Sequence, residues 1–430
     1  MADFKNKIST RPMNIAVIGS GIAGLSAAWL LAKKHNITLY EQNNYPGGHS
    51  NTIDVKRGTL IENIDSGFVV YNSLNYPTLC DLFKYLNISG KPSEMSFSVS
   101  IKGGRLEYSS NGLNGFFSQR SNIFSPGHWS ILIDLMKFYR EARQCIDNLE
   151  NNITVGNFLV EKSYSRSFIE NHLLPMIGAI WSVPSHIALE FPIDSIINFF
   201  QNHGLLKLNN RPAWQTVVGG SKTYVNALIK DMTGPVHLKT KINCVIRDKN
   251  VVKLIDDTGG THIFDAVIIA THADQALQIL QTPTPDEIKI LGQIPYCKNL
   301  AVLHSDTRLM PKRKKVWSSW NVMDQGLNSD KITVTYWMNR LHKIHNFPDM
   351  FVSLNPNIDP ITSKIEKTFQ YDHPILTTSA LNAKSNLSIL QGAKNIWYCG
   401  SYFGYGFHED ALKSGLSVAE QFGVLPPWKK

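Results

Sequence analysis

The chain is poor in cysteine. Its 430 residues include five, which are far apart: Cys80, Cys145, Cys244, Cys297 and Cys399. No two of them stand at the spacing of a zinc site, and neither their number nor their spacing suits a disulfide framework. The sequence therefore favours a reducing, cytoplasmic compartment and predicts no metal site.

Dense charge of one sign is also scarce. Lys and Arg number 43 against 34 Asp and Glu, a formal net charge of +9, but the basic residues are dispersed, with one dense cluster at 312–315. No zinc-finger spacing or basic recognition helix is present, so no nucleic-acid partner is expected. Beside Trp317 and Trp320, the cluster could touch anionic headgroups at the inner face of a membrane.

Long uncharged runs are limited to residues 12–32, and three glycines interrupt that run. No other run approaches the ~20 apolar residues that a membrane-spanning helix needs. The sequence therefore predicts a protein that is soluble or peripheral to the membrane.

The interrupted run has the pattern of a dinucleotide-binding unit. Residues 15–18 are apolar, which predicts a strand buried on both faces, and residues 25–34 predict a helix. The turn between them has the G-x-G-x-x-G spacing and consists of Gly19, Ser20, Gly21, Ile22, Ala23 and Gly24. Gly19 permits the tight turn, Gly21 lets the backbone approach a pyrophosphate, and Gly24 allows close packing of the helix.

An acidic residue follows at the expected place. Glu41 ends a second predicted strand, residues 37–40, and Gln42 comes next. A carboxylate here accepts hydrogen bonds from ribose hydroxyls, and it would repel the 2′-phosphate of NADP. The pattern therefore leaves FAD and NAD as candidate cofactors.

Two later turns favour FAD. Gly47 and Gly48, followed by His49, would let backbone approach the same diphosphate from the other side. Farther along, a flat turn at Gly67, Phe68 and Val69 could run along the edge of an isoalloxazine ring.

With these segments, the chain resembles the FAD-containing amine oxidase and phytoene desaturase superfamily. That resemblance implies FAD as cofactor, with Val245 at the adenine and Ala270 ending a strand beside the cofactor. It also implies a closing helix whose N-terminus points at the flavin. The corresponding residues in this sequence are Gly400, Ser401, His408, Glu409 and Asp410.

Three positions near the implied flavin are of special interest. His49 stands where typical members have an arginine, and Phe407 stands where monoamine oxidases have the second of two substrate-boxing tyrosines. Lys298 corresponds to a superfamily lysine near flavin N5. The resemblance therefore implies Phe407 and Lys298 as candidate catalytic positions.

A narrower resemblance is carried by residues 47–52, 65–68, 317–321 and 406–410. These segments are similar to flavoproteins encoded beside, or fused in front of, cyclopropane fatty acid synthases. That likeness implies a long acyl chain as substrate and a methyltransferase as a partner.

The predicted fold class is α/β, with two domains. A discontinuous Rossmann-like FAD-binding domain, a parallel sheet with helices, would comprise residues 11–75, 205–285 and 386–425. A mixed α+β substrate domain, rich in aromatic residues, would comprise residues 76–204 and 286–385.

The predicted function is FAD-dependent oxidation or desaturation of a lipid acyl chain, by hydride transfer to flavin N5. One alternative is amine oxidation, and another is a non-catalytic flavin-binding partner of a lipid-modifying methyltransferase. The electron acceptor is left open between oxygen, a quinone and a carrier. His203 and His304 are candidate proton carriers, although a histidine beside apolar residues is more often part of the core.

Overall fold

The computed structural model describes residues 11–145, 153–206, 212–324 and 332–429. Its strands, in chain order, are β1 Asn14–Ile18, β2 Asn36–Tyr40, β3 Thr52–Arg57, β4 Leu60–Asp65, β5 Val70–Tyr71, β6 Gly90–Pro92, β7 Phe97–Ile101, β8 Leu106–Ser109, β9 Gln215–Val217, β10 Val236–His237, β11 Ile242–Asp248, β12 Val251–Asp256, β13 Thr261–Phe264, β14 Ala266–Ile269, β15 Tyr296–His304, β16 Trp320–Asp324, β17 Thr333–Trp337, β18 Phe351–Leu354, β19 Ile365–Pro374 and β20 Ile396–Tyr398.

Most of the helices have ten residues or fewer. In chain order they are α1 Ile22–Leu31, α2 Pro77–Tyr85, α3 Gly112–Phe116, α4 Pro126–Cys145, α5 Val155–Glu161, α6 Arg166–Phe168, α7 Leu174–Trp181, α8 Ser185–Leu189, α9 Ile193–Asn202, α10 Lys222–Asp231, α11 Ala273–Ile279, α12 Pro285–Leu291, α13 Met338–Leu341, α14 Thr378–Asn386 and α15 His408–Gln421. Among the described residues, no helix is both long and apolar enough to cross a bilayer.

The first sheet is parallel and has the strand order β10-β2-β1-β14-β20. Residues 15–18 and 266–269 are buried because helices α1, α10 and α15 pack on one face of this sheet. The antiparallel strands β11–β13 and helices α11, α12 and α14 cover the other face. This burial on both faces is why the two segments are uninterrupted apolar runs, and it confirms the predicted α/β fold class.

Helix α1 begins three residues before the predicted helix and ends three residues earlier, at Leu31. It lies against α15, because a Cβ added at Gly415 would lie 2.1 Å from the carbonyl oxygen of Ala23. The Ser26 hydroxyl donates to that same carbonyl oxygen, at 3.0 Å. The start of the chain and its last long helix therefore meet at one close crossing.

The second large sheet has seven strands, in the order β19-β15-β18-β17-β16-β7-β8. Its neighbours are antiparallel except for the parallel pair β16–β7. All its strands fall in the segments assigned above to the substrate domain, whereas the strands of the parallel sheet fall in the FAD-binding segments. The boundaries between the two domains stay a prediction.

Helices α4 to α9 enclose a separate aromatic core, which includes Phe138, Phe168, Trp181 and Phe199. The segment 168–180, which includes Pro175, forms an interrupted helix there. A π-helical turn, Ile169–Leu173, joins α6 to α7, and Pro175 stands in the first turn of α7. Such a turn lets the chain continue through a proline without a gap in the helix.

Candidate functional site

The G-x-G-x-x-G turn lies at the carboxyl ends of the parallel strands, the edge at which ligands bind in open α/β sheets. Gly19 has φ +101°, and a Cβ there would lie 2.8 Å from the carbonyl oxygen of Ala270. Ala270 follows β14 directly, so the first turn and the end of β14 are in contact. Both the backbone angle and the contact therefore require glycine at position 19.

The other two glycines of the turn differ in kind. A Cβ at Gly24 would lie 1.9 Å from the carbonyl oxygen of Gly19, so this glycine is fixed by packing. A Cβ at Gly21 would meet no protein atom within 4 Å, and its φ of −60° is open to any residue. Neither packing nor backbone conformation explains glycine at 21, which fits a position where a pyrophosphate approaches the backbone.

Glu41 is buried beside this turn, and both of its carboxylate oxygens accept protein hydrogen bonds. Oε2 accepts from the Ser20 amide at 3.0 Å and from the Ser20 hydroxyl at 2.6 Å. Oε1 accepts from the Asn43 amide and from its side-chain Nδ2, each at 2.8 Å. Gln42 is exposed next to it. These four hydrogen bonds use the two acceptor sites of each carboxylate oxygen, so a ribose hydroxyl would have to share or displace one of them. A ribose contact at Glu41 stays a prediction, and the residue organises the turn.

The second glycine pair packs on the first turn. The Gly47 amide donates to the Ser20 carbonyl oxygen at 3.0 Å. Gly48 has φ +59°, and a Cβ there would lie 3.2 Å from the Cα of Gly21. The two turns that the sequence assigns to one diphosphate are therefore adjacent.

The turn at Gly67 packs against His49, the residue that follows the glycine pair. The Phe68 amide donates to the His49 carbonyl oxygen at 2.8 Å, and a Cβ at Gly67 would lie 2.4 Å from that oxygen. The carbonyl of Val69 is already engaged, because the Thr216 hydroxyl donates to it at 2.8 Å. The backbone of Gly67 and Phe68 thus lies against that of His49.

The start of α15 completes this edge. The His408 ring stacks on Phe68, with centroids 3.8 Å apart and planes 11° apart, and its Nε2 is 2.9 Å from the Tyr224 hydroxyl. Burial lowers the pKa of His408 to about 3, so the imidazole is neutral at physiological pH. Tyr224 in turn donates to the Ser50 hydroxyl at 2.6 Å. These contacts lock the N-terminus of α15 onto the glycine-rich turns.

The two acids in the first turn of α15 are both engaged by backbone amides. Glu409 accepts from the amides of Thr78 and Leu79, at 2.9 and 3.0 Å, and so caps the start of α2. Asp410 accepts from the amides of Tyr405 and Phe407, at 2.9 and 3.1 Å, and so holds the preceding loop. The first-turn amides of α15, which have no intrahelical acceptor, supply the anion-stabilising end of the helix dipole.

Gly400 and Ser401 link β20 to this helix. The Gly400 amide is 2.9 Å from the Ser414 hydroxyl on α15, and the Gly406 amide donates to the Ser401 carbonyl oxygen at 3.2 Å. The loop between β20 and α15 is therefore tied down at both ends.

A group of histidines and tyrosines lies on the other side of His49. The His49 ring is stacked 4.5 Å from Tyr371 and lies 5.3 Å from His373, both on β19. His272, at the N-terminus of α11, stacks 4.6 Å from Tyr296 on β15. We call these five residues the histidine cluster.

Two ring nitrogens of the cluster are buried and have no hydrogen-bond partner among the described residues: Nε2 of His49 and Nδ1 of His272. Burial holds the pKa of His49 well below its usual range and lowers that of His373 to about 4. The cluster is therefore neutral at physiological pH. An unpaired buried polar atom is costly, so these nitrogens fit a bound group that offers hydrogen bonds.

The candidate lysine does not join this cluster. Lys298 is exposed on β15, and the next residue, Asn299, is fully buried with Nδ2 donating to Nδ1 of His373 at 3.0 Å. Side chains alternate along a strand, so only one of the two can face the cluster. The structure does not bring Lys298 to the site, and Asn299 occupies the inward position instead.

Val245 is fully buried on β11, and its carbonyl oxygen accepts from the Gln281 amide at 3.1 Å. Thr240, five residues earlier, donates its amide to the Glu41 carbonyl oxygen at 2.9 Å. The segment before β11 is thus the part that adjoins Glu41, and an adenine contact at Val245 stays a prediction.

Phe407, the other candidate, lies in the aromatic core of the helices rather than in the parallel sheet. Its ring stacks 4.6 Å from Phe199 and lies 6.1 Å from Trp181 and 5.6 Å from His203. Burial lowers the pKa of His203 to about 4, so the His203 ring adds no charge beside the three aromatic rings at neutral pH. We call these four residues the Phe407 wall. The other sequence candidate, His304, is a buried core residue with both ring nitrogens bonded.

A small cavity lies next to this wall, under the loop that precedes α15. It is lined mainly by aliphatic and aromatic side chains, with one lysine: Ile294, Pro374, Ile375, Leu376, Ala380, Leu381, Lys384, Tyr402, Gly404, Tyr405 and Gly406. The Lys384 ammonium lies 4.0 Å from the Tyr405 ring centre. Burial lowers the pKa of Lys384, and the nearby Asp410 carboxylate opposes that shift.

Several of these residues are not predicted from the sequence. Tyr371, His373 and Asn299 lie on strands far along the chain from the glycine-rich turns, and no local pattern marks them. Tyr224 is an ordinary helix residue in sequence. Asn299 does have a sequence signal, since it directly follows the candidate residue Lys298.

The residues at this edge fit FAD. Gly21 leaves its backbone open, the first-turn amides of α1 and α15 point to the same edge of the sheet, and unpaired nitrogens face it from the histidine cluster. Among the described residues, no group of three or more His, Cys, Asp or Glu side chains is arranged to hold a metal.

Two curated proteins are similar to this chain. The coproporphyrinogen III oxidase of Staphylococcus aureus is 20% identical over 290 residues, which is 60% of this chain and 60% of that protein. The L-amino-acid oxidase of Demansia vestigiata is 23% identical over 372 residues, which is 80% of this chain and 65% of that protein. The chain thus spans less than two thirds of the length of either relative.

Solved structures share the fold at low identity. One described as a protoporphyrinogen oxidase, from Exiguobacterium sp. 255-15, has a TM-score of 0.66 at 15% identity, over 96% of this chain and 98% of that one. A fatty acid isomerase of P. acnes, described as producing CLA, has a TM-score of 0.66 at 12% identity, over 97% and 99%. The family described as flavin containing amine oxidoreductase matches residues 22–305. The chain therefore belongs to the flavin containing amine oxidoreductase family, a family of FAD-dependent enzymes.

Proposed function

We propose that this chain is an FAD-dependent oxidoreductase that oxidises or desaturates a lipid acyl chain. The observation that carries the proposal is the Phe407 wall, which is aromatic and uncharged at the start of α15. A wall of this kind holds an apolar substrate and keeps water away from the reacting bond. The shared fold with a fatty acid isomerase is consistent with it.

FAD, when bound, accepts a hydride from the substrate. The protein's own part is binding, orientation and electrostatics. The first-turn amides of α15 stabilise negative charge at the helix N-terminus. Asp410 keeps Phe407 in place by accepting its amide hydrogen, at 3.1 Å. None of these roles needs a charged acid–base pair.

Lys384 is the proposed contact for a polar end of the substrate. Its ammonium lies at the edge of the aliphatic cavity, and Leu376 and Tyr405 belong both to that cavity and to the core that contains Phe407. This cavity is small, so its one cation suits the anionic end of such a substrate, a carboxylate or a phosphate ester, rather than the length of an acyl chain. The same cation would repel a protonated amine.

Amine oxidation is the second candidate. The family description and the L-amino-acid oxidase relative favour it. An amine site needs a carboxylate or an aromatic cage that faces the substrate. The two acids nearest Phe407 do not supply one, because Glu409 and Asp410 are engaged by backbone amides.

Rapid-mixing reduction of the bound flavin tests the proposal. The holoenzyme is mixed without oxygen with fatty acids, with acyl phospholipids and with primary amines, and flavin absorbance is followed. We expect bleaching with an acyl lipid. Bleaching with amines alone would overturn the acyl proposal, and no bleaching with any of them would favour a non-catalytic partner of a methyltransferase.

A matched pair of variants sharpens this experiment. Lys384→Gln removes the cation, whereas Lys384→Arg keeps it. We expect the first to weaken the apparent affinity for an anionic acyl lipid by about tenfold, the equivalent of about 1.4 kcal/mol, and the second to preserve it. Equal effects of the two variants would exclude Lys384 as the headgroup contact.

A further inference from the structure

One part of the surface exposes an unusual set of large apolar side chains. Phe124 is 87% exposed, Leu113 67% and Ile133 65%, and three more lie close to them in the sequence. We call the set the 113–136 patch: Leu113, Ile123, Phe124, Trp129, Ile133 and Met136. Single exposed apolar residues are ordinary, but a contiguous group of this size marks an interaction surface.

The patch is held by ordered structure. Phe124 ends a 3₁₀ helix, Arg120–Phe124, which leads into α4. Trp129, Ile133 and Met136 follow at the spacing of one helix face. The indole nitrogen of Trp129 donates to the Ile123 carbonyl oxygen at 2.9 Å, so the two parts of the patch are joined.

The exposed charges along the segment that carries the patch have one sign. Partly exposed Glu141 follows this segment, and its carboxylate accepts from the Tyr164 hydroxyl at 2.7 Å. Between residues 101 and 140 the exposed charged side chains are all basic: Lys102, Arg105, Arg120 and Arg140. The acids in this range are both buried. Glu107 pairs with Arg313 at 2.9 Å, and Asp134 accepts from the Ser165 amide at 2.8 Å.

The basic cluster at 312–315 adjoins the same surface. Arg313 donates to the Gly104 carbonyl oxygen at 2.9 Å, next to Arg105. Gln119 donates to the Arg105 carbonyl oxygen at 3.1 Å, next to Arg120. These contacts make a continuous path from the exposed lysines of the cluster to the 3₁₀ helix that carries Phe124.

We propose that the 113–136 patch, with its basic border, binds the surface of an anionic lipid bilayer. The apolar side chains would enter the boundary between headgroups and acyl chains, and the lysines and arginines would contact phosphates. Charge complementarity selects this occupant, because every exposed charge along residues 101–140 is positive. The proposal does not depend on the reaction that the enzyme catalyses.

Helix α4 lies between the 113–136 patch and the Phe407 wall. Its opposite face carries Phe138, whose ring lies 6.2 Å from Phe200, and Phe200 lies 6.3 Å from Phe199. Phe199 stacks on Phe407. The helix that would rest on the bilayer is thus separated from the Phe407 wall by one layer of aromatic rings.

Co-sedimentation with vesicles tests the proposal. The holoenzyme is mixed with vesicles of phosphatidylcholine alone and of phosphatidylcholine with phosphatidylglycerol, at low and high salt. We expect binding to the anionic vesicles that weakens with salt. The double variant Phe124→Ser/Ile133→Ser should reduce the partition coefficient at least about tenfold, since each apolar side chain loses its burial. Arg120→Glu should reduce it by about fivefold or more.

Ile263→Ser is the matched control, because Ile263 is 58% exposed on β13, away from the patch. It should bind vesicles as the unmodified chain does. Thermal unfolding checks that each variant is folded, which the exposure of Phe124 and Ile133 makes the expected result. Absence of vesicle binding, or binding unchanged in the double variant, would overturn the proposal. So would self-association that the double variant abolishes, because it would identify a second copy of the chain as the occupant.

Discussion

The ring of His49 is stacked on Tyr371, with centroids 4.5 Å apart and planes 28° apart. One residue follows the glycine pair of the FAD-binding segment, and the other lies on the edge strand β19 of the second sheet. The Tyr371 hydroxyl is also 3.0 Å from Nδ2 of Asn51 and 2.8 Å from the Ser66 hydroxyl. A neutral stacked pair therefore links the glycine-rich turns to the second sheet, at the position where the resemblance implies an arginine. The predicted cofactor contact at His49 would then need no fixed positive charge.

Substitutions at Gly21 and Gly24, the last two glycines of the G-x-G-x-x-G turn, should separate cofactor binding from folding. Gly21→Val adds a side chain where no protein atom lies within 4 Å, so the apoprotein should fold normally but bind little FAD. Gly24→Ala should instead lower the melting temperature of the apoprotein, because its Cβ would lie 1.9 Å from a backbone oxygen. Flavin content after purification and circular dichroism of flavin-free samples measure the two effects. Full flavin occupancy in Gly21→Val would contradict the assignment of this turn.

Glu41→Ala should weaken both FAD binding and folding. It removes the acceptor for the amides of Ser20 and Asn43, and a buried donor left without a partner costs about 1–3 kcal/mol. Glu41→Gln keeps one acceptor oxygen but replaces the other with an amide nitrogen, which cannot accept, so its loss in denaturant unfolding should be smaller than that of Glu41→Ala. Isothermal titration with FAD gives the binding part. An unchanged FAD dissociation constant in Glu41→Ala would limit Glu41 to its structural role.

Glu409→Ala should lower the free energy of unfolding by about 1–2 kcal/mol, because it uncaps α2 at Thr78 and Leu79. Its effect on FAD affinity should be small, since the carboxylate is engaged by the amides at the start of α2. Urea unfolding of the apoprotein and flavin titration measure the two quantities. A large loss of affinity without loss of stability would place the carboxylate at the cofactor instead.

Stability should fall in mild acid. Burial lowers the pKa of His172 and of His304 to about 4, whereas an unfolded histidine titrates near 6.5. Between these values the unfolded chain binds protons that the folded chain does not, so the unfolding free energy is complete above pH 6.5 and declines as the pH falls toward 4. Each histidine should contribute up to about 3 kcal/mol to this loss. Urea unfolding between pH 7.5 and 4.5 measures it.

His304→Gln is the matched variant for that titration. The Asp306 amide donates to Nδ1 of His304 at 3.0 Å, and Nε2 is 2.8 Å from the Ser353 hydroxyl, so the neutral ring is held on both sides. Glutamine does not titrate, and the pH dependence should become shallower. An equally steep decline in the variant would show that His304 is not one of the groups responsible.

The parallel sheet and the fingerprint were predictable because their signals are local. The apolar runs that become β1 and β14, the glycine spacing and Glu41 lie in short segments, and each has one simple physical explanation. The fold class followed from the same segments. Helix ends were less accurate, and α1 starts at Ile22 rather than Leu25 because the backbone of Gly21 already caps it.

The inward-facing side of β15 was not predictable in the same way. A strand repeats every two residues, so one residue of uncertainty exchanged Lys298 for Asn299. The histidine cluster depends on β15 pairing with β19, about seventy residues later in the chain. No pattern near His49 indicates that Tyr371 and His373 lie beside it.

The close contact of Gly415 with Ala23 and Ser26 has a consequence for biosynthesis. Helix α1 is buried along its whole length, and part of what buries it is α15, which lies almost four hundred residues downstream. A nascent chain therefore exposes an apolar first helix until residues 396–421 have left the ribosome. The cofactor-binding edge, which needs the start of α15, cannot be complete earlier, and we expect the growing chain to take up flavin only after that helix has been made.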